Sequence, residues 1–127
     1  MSAATHQGRL VVISGPSGSG KTTIKRRLAQ HPAIKVAVTV TTRRPRAGEV
    51  ADQAYHFVDR DAFLLMEKRG LFAETNDVFS NGHLYGSLKA ELEQSLADLG
   101  TVYLMEVDVT GARNLKAAGY SGTYVFI

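Results

Sequence analysis

The 127-residue sequence contains no cysteine and no tryptophan, and only three prolines. Without cysteine there is no disulfide framework and no thiolate metal site. That composition suits a reducing, cytoplasmic setting. No apolar run exceeds a few residues, Leu10-Val11-Val12-Ile13 being typical. No segment is therefore expected to span a membrane, and no charged leader followed by an apolar stretch opens the chain. Charge of either sign is in small excess at most: 15 Lys and Arg against 12 Asp and Glu leave a formal +3. That is too little to argue for nucleic acid, but it fits an anionic ligand if the cations cluster. The four histidines (His6, His31, His56, His83) are scattered without metal-ligand spacing. What is present, 44% hydrophobic and 21% charged residues, is a globular composition of single-domain size.

The apolar residues fall into short blocks. Arg9 to Ser14 reads as a buried strand, and Thr22 to Gln30 as a helix ended by His31-Pro32. Thr101 to Val107 is a second nearly apolar strand, Ala112 to Ala118 a helix stopped at Gly119, and Gly122 to Ile127 a last β-rich run. Strand, helix and strand alternate at both ends, which predicts an α/β fold: a parallel sheet covered by helices, built from residues 9–33 and 88–127. Residues 34–87 read as an inserted small lobe of short strands and polar loops. Ile34 to Val40 alternates as one strand, and Tyr55 to Val58, Leu71 to Asn76 and Val78-Phe79 supply others. Asp61 is placed to cap a helix running to Arg69 and stopped by Gly70, and Asn81-Gly82 marks a turn. Ser87 is expected to cap a helix whose Leu88, Leu92, Leu96 and Leu99 share one stripe.

One motif carries specific chemistry. Gly15-Pro16-Ser17-Gly18-Ser19-Gly20-Lys21-Thr22 satisfies G-x-x-x-x-G-K-[ST], between an apolar strand and a helix-forming stretch that begins with Thr23. Glycines let backbone N–H groups converge on phosphate oxygens, Lys21 adds a point charge at the β- and γ-phosphates, and Thr22 offers a hydroxyl to Mg²⁺. The motif speaks for a nucleotide phosphate and leaves the reaction open. A second cluster, Thr41-Thr42-Arg43-Arg44-Pro45-Arg46-Ala47-Gly48-Glu49, puts three arginines in four positions. Arginine forks suit phosphate, although an isolated Arg-Arg-Pro-Arg is more often a solvated loop. Interleaved aromatics that would favour nucleic acid are missing.

Taken together with Tyr55-His56-Phe57-Val58, Phe72-Ala73-Glu74, Leu84-Tyr85-Gly86-Ser87 and Glu106-Val107-Asp108-Val109-Thr110-Gly111, these motifs resemble guanylate kinase, in the family's order, from about Arg9 to Ile127. The resemblance implies a P-loop NTPase core with an inserted mixed-β GMP-binding lobe. It implies transfer of a phosphoryl group from ATP to GMP with Mg²⁺. Gly15, Pro16, Ser17, Gly18, Ser19, Gly20, Lys21, Thr22 and Thr23 would bind ATP. Arg43, Arg46, Tyr55 and Tyr85 would hold the GMP phosphate, with Thr39 standing where the family usually has Ser. Glu74 and Ser87 would read the guanine. Glu106 and Asp108 complete the GMP-binding set, Thr22 and Asp108 (through water) would serve the metal, and Lys21, Arg43 and Arg46 would be catalytic.

Elementary chemistry agrees with these roles. A carboxylate at position 74 can accept hydrogen bonds from guanine N1–H and the 2-amino group, where adenine offers no donor. A site built on such contacts rejects the wrong base by roughly 10⁴-fold. Taken alone, Glu74 would pass for an exposed strand-end acid, and the two tyrosines for core residues whose hydroxyls still need a partner. Glu106 and Asp108 end an apolar strand, where open α/β sheets bind ligands.

Departures from the family pattern are Asp52 in place of the usual Gly and about two additional residues between Val78 and Tyr85. In the family a lid with catalytic arginines, a last strand and helices follow. The 127 residues contain no such segment, and turnover by this chain is expected to be poor. The expected partners are ATP and GMP, with no nucleic acid and no membrane; protein partners stay open. Two other readings remain at this point: a catalytically inactive guanylate-kinase-like binding module, and a phosphate-loop kinase acting on a phosphorylated sugar.

Overall fold

The structure, a computed structural model, describes residues 9–16, 20–49, 55–77, 82–98 and 100–127. In chain order its elements are β1 (Arg9–Ser14), α1 (Lys21–Leu28), β2 (Ile34–Val36), β3 (Thr39–Thr41), β4 (Tyr55–Phe57), α2 (Arg60–Lys68), β5 (Phe72–Asp77), β6 (Leu84–Leu88), α3 (Lys89–Leu96), β7 (Val102–Glu106), α4 (Val109–Ala117) and β8 (Thr123–Phe126). They belong to two compact units, one of residues 38–90 and the other of the residues flanking it.

The flanking unit is the α/β core. Its sheet has the order β2-β7-β1-β8 with every pair parallel. β1 and β7 are the central strands, and their Leu10, Val12, Ile13, Tyr103, Leu104 and Met105 are all buried. Central parallel strands are covered on both faces, which is why these runs are continuously apolar instead of alternating. Leu92 and Leu96 of α3 and Leu115 of α4 complete the core. Tyr103 keeps its hydroxyl useful inside it by donating to Glu91 Oε1 at 2.9 Å; burial pushes that hydroxyl well above the usual tyrosine range. The register sets Ile13 of β1 opposite Glu106 of β7, so the two strands end side by side.

Residues 38–90 build the second unit around a mixed sheet of order β4-β3-β6-β5. β3 runs parallel to β4 and antiparallel to β6, and β5 is antiparallel to β6. One face packs on α2: Val40, Phe63 and Phe72 are its buried centre, with Val58, Met66, Leu84 and Leu88 around them. The Phe63 and Phe72 rings stack at 4.6 Å.

The expected α/β class with a small mixed-β lobe is what the chain adopts, but several boundaries move. Ile34 to Val40 is two strands. β2 joins β7, Ala37 donates its N–H to Leu104 O at 2.8 Å, and β3 then pairs with β4 and β6. The compact unit therefore spans 38–90, against the expected 34–87. Alternation reports a strand's faces and carries no information about which sheet receives it. The cap of α2 is Asp59, whose side chain accepts from Ala62 N at 2.7 Å, while Asp61 lies inside the first turn. Ser87 does not open α3; it sits in β6 between Thr39 and Glu74. With ladders on both sides the strand continues through Leu88, and α3 starts at Lys89. Leu99, Val78-Phe79 and Asn81 lie outside the described residues. Among the described residues no helix is long and apolar enough to cross a membrane.

Candidate functional site

β1 delivers the chain to Gly15 at its carboxyl end, and α1 leaves from Gly20. Gly20 takes φ 97° as the N-cap of α1, a left-handed conformation that a side chain would strain. Having no side chain, it caps nothing, and no acid lies in the helix's first turn. Most helices neutralise this end with a side-chain oxygen or a carboxylate. Among the described residues neither is found at this end of α1, an arrangement that suits an anion. Lys21 folds back so that its amine donates to Gly15 O at 2.6 Å, which spans the ends of the loop. Thr22 and Thr23 are exposed in the first turn. Ser17, Gly18 and Ser19 fall outside the described residues.

Two acids stand at the end of the neighbouring strand. Glu106 forms an ion pair with Lys25 of α1, 2.9 Å between Oε1 and Nζ. Asp108 caps α4, its Oδ1 accepting from Gly111 N at 2.7 Å. Both side chains thus have an architectural partner that sequence reasoning did not foresee.

The other expected residues lie on the second unit's sheet, on the face away from its apolar centre. Residues paired in register share a face. Tyr55 pairs with Thr39, Thr39 with Ser87, and Ser87 with Glu74, so these four form one row across the four strands. Phe57, Thr41, Tyr85 and Asn76 form the next row. Thr39, Tyr55, Glu74, Tyr85 and Ser87, all singled out above, are brought together in this tray. Glu74 and Ser87 are 8% and 4% exposed, shielded far more than a strand-end acid would be.

A bulge puts Glu74 there. Phe72 pairs with Leu88, and the next pair is Glu74 with Ser87, so Ala73 is an extra residue in β5. In an unbroken strand residues 72 and 74 share a face, and the carboxylate would point towards the apolar centre with Phe72. The bulge sends Phe72 inward and Glu74 to the polar face. Opposite, Gly86 makes room for the phenylalanine: a Cβ there would lie 2.7 Å from Phe72 Cδ1.

At the end of the tray, Arg43 is 7% exposed. Its guanidinium donates to both oxygens of Glu49, Nη1 to Oε1 at 2.8 Å and Nη2 to Oε2 at 2.9 Å. A third bond goes to Arg44 O at 3.0 Å. The guanidinium carbon lies 4.6 Å from the centre of the Tyr55 ring and 5.6 Å from that of Phe57, and the Tyr85 ring meets Tyr55 edge-on at 6.4 Å. Glu49 Oε1 also accepts the Arg46 N–H at 2.6 Å. The Arg43 fork and that N–H hold the Glu49 carboxyl well below the usual range, at about 2, and the carboxylate in turn raises the guanidinium further. Arg46 itself is exposed. Sequence reasoning missed Glu49; an acid six residues after Arg43, closing a loop that contains Pro45, was the available signal. Asp52 lies outside the described residues.

A family model described as guanylate kinase matches residues 7–127. The curated guanylate kinase of Nitratidesulfovibrio vulgaris is 47% identical over 122 residues, covering 94% of this chain. That of Bifidobacterium longum is 44% identical over 117 residues, covering 91%. The chain spans 57% and 59% of their respective lengths. A crystal structure of guanylate kinase from Anaplasma phagocytophilum superposes with a TM-score of 0.81 at 32% identity, over 95% of this chain and 60% of that one.

Proposed function

Because this chain belongs to the guanylate kinase family, we propose that it carries the nucleotide-gripping parts of an ATP:GMP phosphotransferase, which moves the γ-phosphoryl group of ATP onto the phosphate of GMP to give ADP and GDP. The observation that supports this most is the row of Tyr55, Thr39, Ser87 and Glu74 on one polar face, with the Arg43 guanidinium over the Tyr55 ring at its end. A buried acid beside a hydroxyl suits a purine edge with two N–H donors, and a rigid cation beside tyrosines suits a phosphate.

In this reading Glu74 and Ser87 select guanine, and Arg43, Arg46, Tyr55, Tyr85 and Thr39 seat the GMP phosphate. Glu49 aims Arg43 in advance, so little side-chain entropy is lost on binding. The cradle of Gly15 to Thr23 holds the ATP phosphates on the N–H groups at the start of α1. Lys21, Arg43 and Arg46 offset charge on the transferring group.

Mg²⁺ fits the donors present. Among the described residues no cluster of three or more His, Asp or Glu could cage a metal. The exposed Thr22 hydroxyl and the carboxylate of Asp108 are hard oxygen donors, and Mg²⁺ is commonly held by one or two such groups with water and substrate phosphates. Bound there, it would neutralise the β- and γ-phosphate oxygens.

Binding is the direct test, because the chain spans 57–60% of its relatives' length. ATP and GMP are each titrated calorimetrically, with AMP as the competitor base. The full chain is expected to bind GMP at least about 10³-fold better than AMP, and Glu74→Gln to erase most of that preference. Equal binding of GMP and AMP by the unaltered chain, or binding of neither ATP nor GMP, would overturn the reading.

A further inference from the structure

Helix α1 carries Lys21 and Thr22 in its first turn, yet none of its eight residues is buried. Its apolar Ile24 and Leu28 are 38% and 37% exposed. A helix this short draws its stability from a packed face, and among the described residues α1 has little of one. A specific tie stands out instead. Lys25 Nζ lies 2.9 Å from Glu106 Oε1, with only 20% and 21% of the two side chains exposed. Lys25 follows Lys21 by four residues, so the two amines leave the same side of the helix one turn apart. Lys21 reaches Gly15 O at the start of the loop, and Lys25 reaches the end of β7. That end is fastened to β1 in turn, since Glu106 pairs with Ile13 and Val107 donates to Ile13 O at 3.1 Å. The two lysines therefore brace the first two turns of α1, one against the start of the loop that leaves β1 and the other against the end of the adjacent strand β7.

We propose that Lys25 and Glu106 form a latch that sets α1 on the sheet and thereby aligns Lys21 and Thr22 with a nucleoside triphosphate. Glu106 is then a positioning residue that acts through Lys25 on the ATP side, and does not itself grip GMP. The latch rests on the reading of Gly15 to Thr23 as a phosphate cradle. An exposed ion pair contributes little, but a shielded one whose loss tilts a helix is felt by whatever that helix holds.

The experiment titrates ATP and GMP separately against the full chain and its variants. Lys25→Met and Glu106→Gln are each expected to weaken ATP binding about three- to tenfold, and the double variant no more than the worse single, as for two members of one contact. GMP affinity should stay constant throughout, an asymmetry that general loosening of the fold would not produce. Lys25→Arg, which keeps the charge, and the exchanged pair Lys25→Glu with Glu106→Lys should both bind ATP to within about twofold of the unaltered chain. If Glu106→Gln weakens GMP while Lys25→Met changes nothing, Glu106 meets substrate directly and the latch is refuted. If Glu106→Gln tightens ATP, the acid acts by repulsion, and the latch is again refuted. Lys21→Ala separates the two levels. ATP binding that depends on Lys21 but ignores residues 25 and 106 sinks the latch alone. ATP binding indifferent to Lys21 sinks the cradle and the latch with it.

Discussion

Arg43 arrives at its site already paired. Glu49 takes two of its N–H groups in a parallel fork, and the rings of Tyr55 and Phe57 lie beside it. A lysine could keep the charge but would lose the fork and the stacking. The pair also sets a pH dependence. The Glu49 carboxyl titrates at about 2 in the fold against an ordinary 4.5. A lowered folded value means that the contact stabilises the loop fully above pH 4.5 and stops doing so as the pH falls towards 2. Carbon-detected NMR should find the Glu49 carboxyl charged well below pH 4, and Arg43→Lys should move its midpoint up by at least about one unit. A midpoint near 4.5 in the unaltered chain would show that the fork does not persist in solution. Arg43 and Glu74 could be singled out in the sequence through their motifs. That Arg43 has a carboxylate partner was not legible there, because the contact depends on how the loop around Pro45 closes.

Elements show where local rules succeed and where they stop. The positive φ of Gly70 and the strand β1 follow from neighbours in sequence; the cap of α2 falls two residues earlier than that reading placed it, on Asp59. The bulge at Ala73 does not follow from neighbours. Nothing in Phe72-Ala73-Glu74 announces that the alternation breaks there, and the break is decided by β6, to which β5 is laddered on both sides of it. The same ladder keeps Ser87 in a strand where its helix-capping chemistry would suggest otherwise. Gly86 tests this arrangement. Gly86→Ala would drive a methyl group against the Phe72 ring, and overpacking of that kind costs roughly 1–3 kcal/mol. Urea denaturation should register the loss, and guanine selectivity should fall with it as β5 shifts. Stability unchanged within about 0.5 kcal/mol would mean that the ring does not cover Gly86.

For the whole molecule, the two units have separate apolar centres and different sheets. The α/β core rests on β1 and β7, and Leu104 lies among its fully buried side chains. Leu104→Ala is expected to cost about 2–5 kcal/mol, read as a lowered midpoint in thermal unfolding, through lost transfer energy and the cavity left behind. β8 differs: it pairs with β1, but its Val125 and Phe126 are exposed. From the residues alone one can read that the chain is α/β, that Gly15 to Thr22 invites a phosphate, and that an arginine loop and a lone acid accompany it. Those features are local, because spacing along the chain determines helix faces, turns and caps. Only the tertiary structure decided that Ile34 and Thr39 enter different sheets, that Ala73 turns Glu74 towards Ser87, and that Glu49 and Lys25 hold Arg43 and Glu106. Each of those outcomes is a pairing between segments distant in sequence or closed by a loop. Its free energy depends on register and burial, which periodicity does not encode.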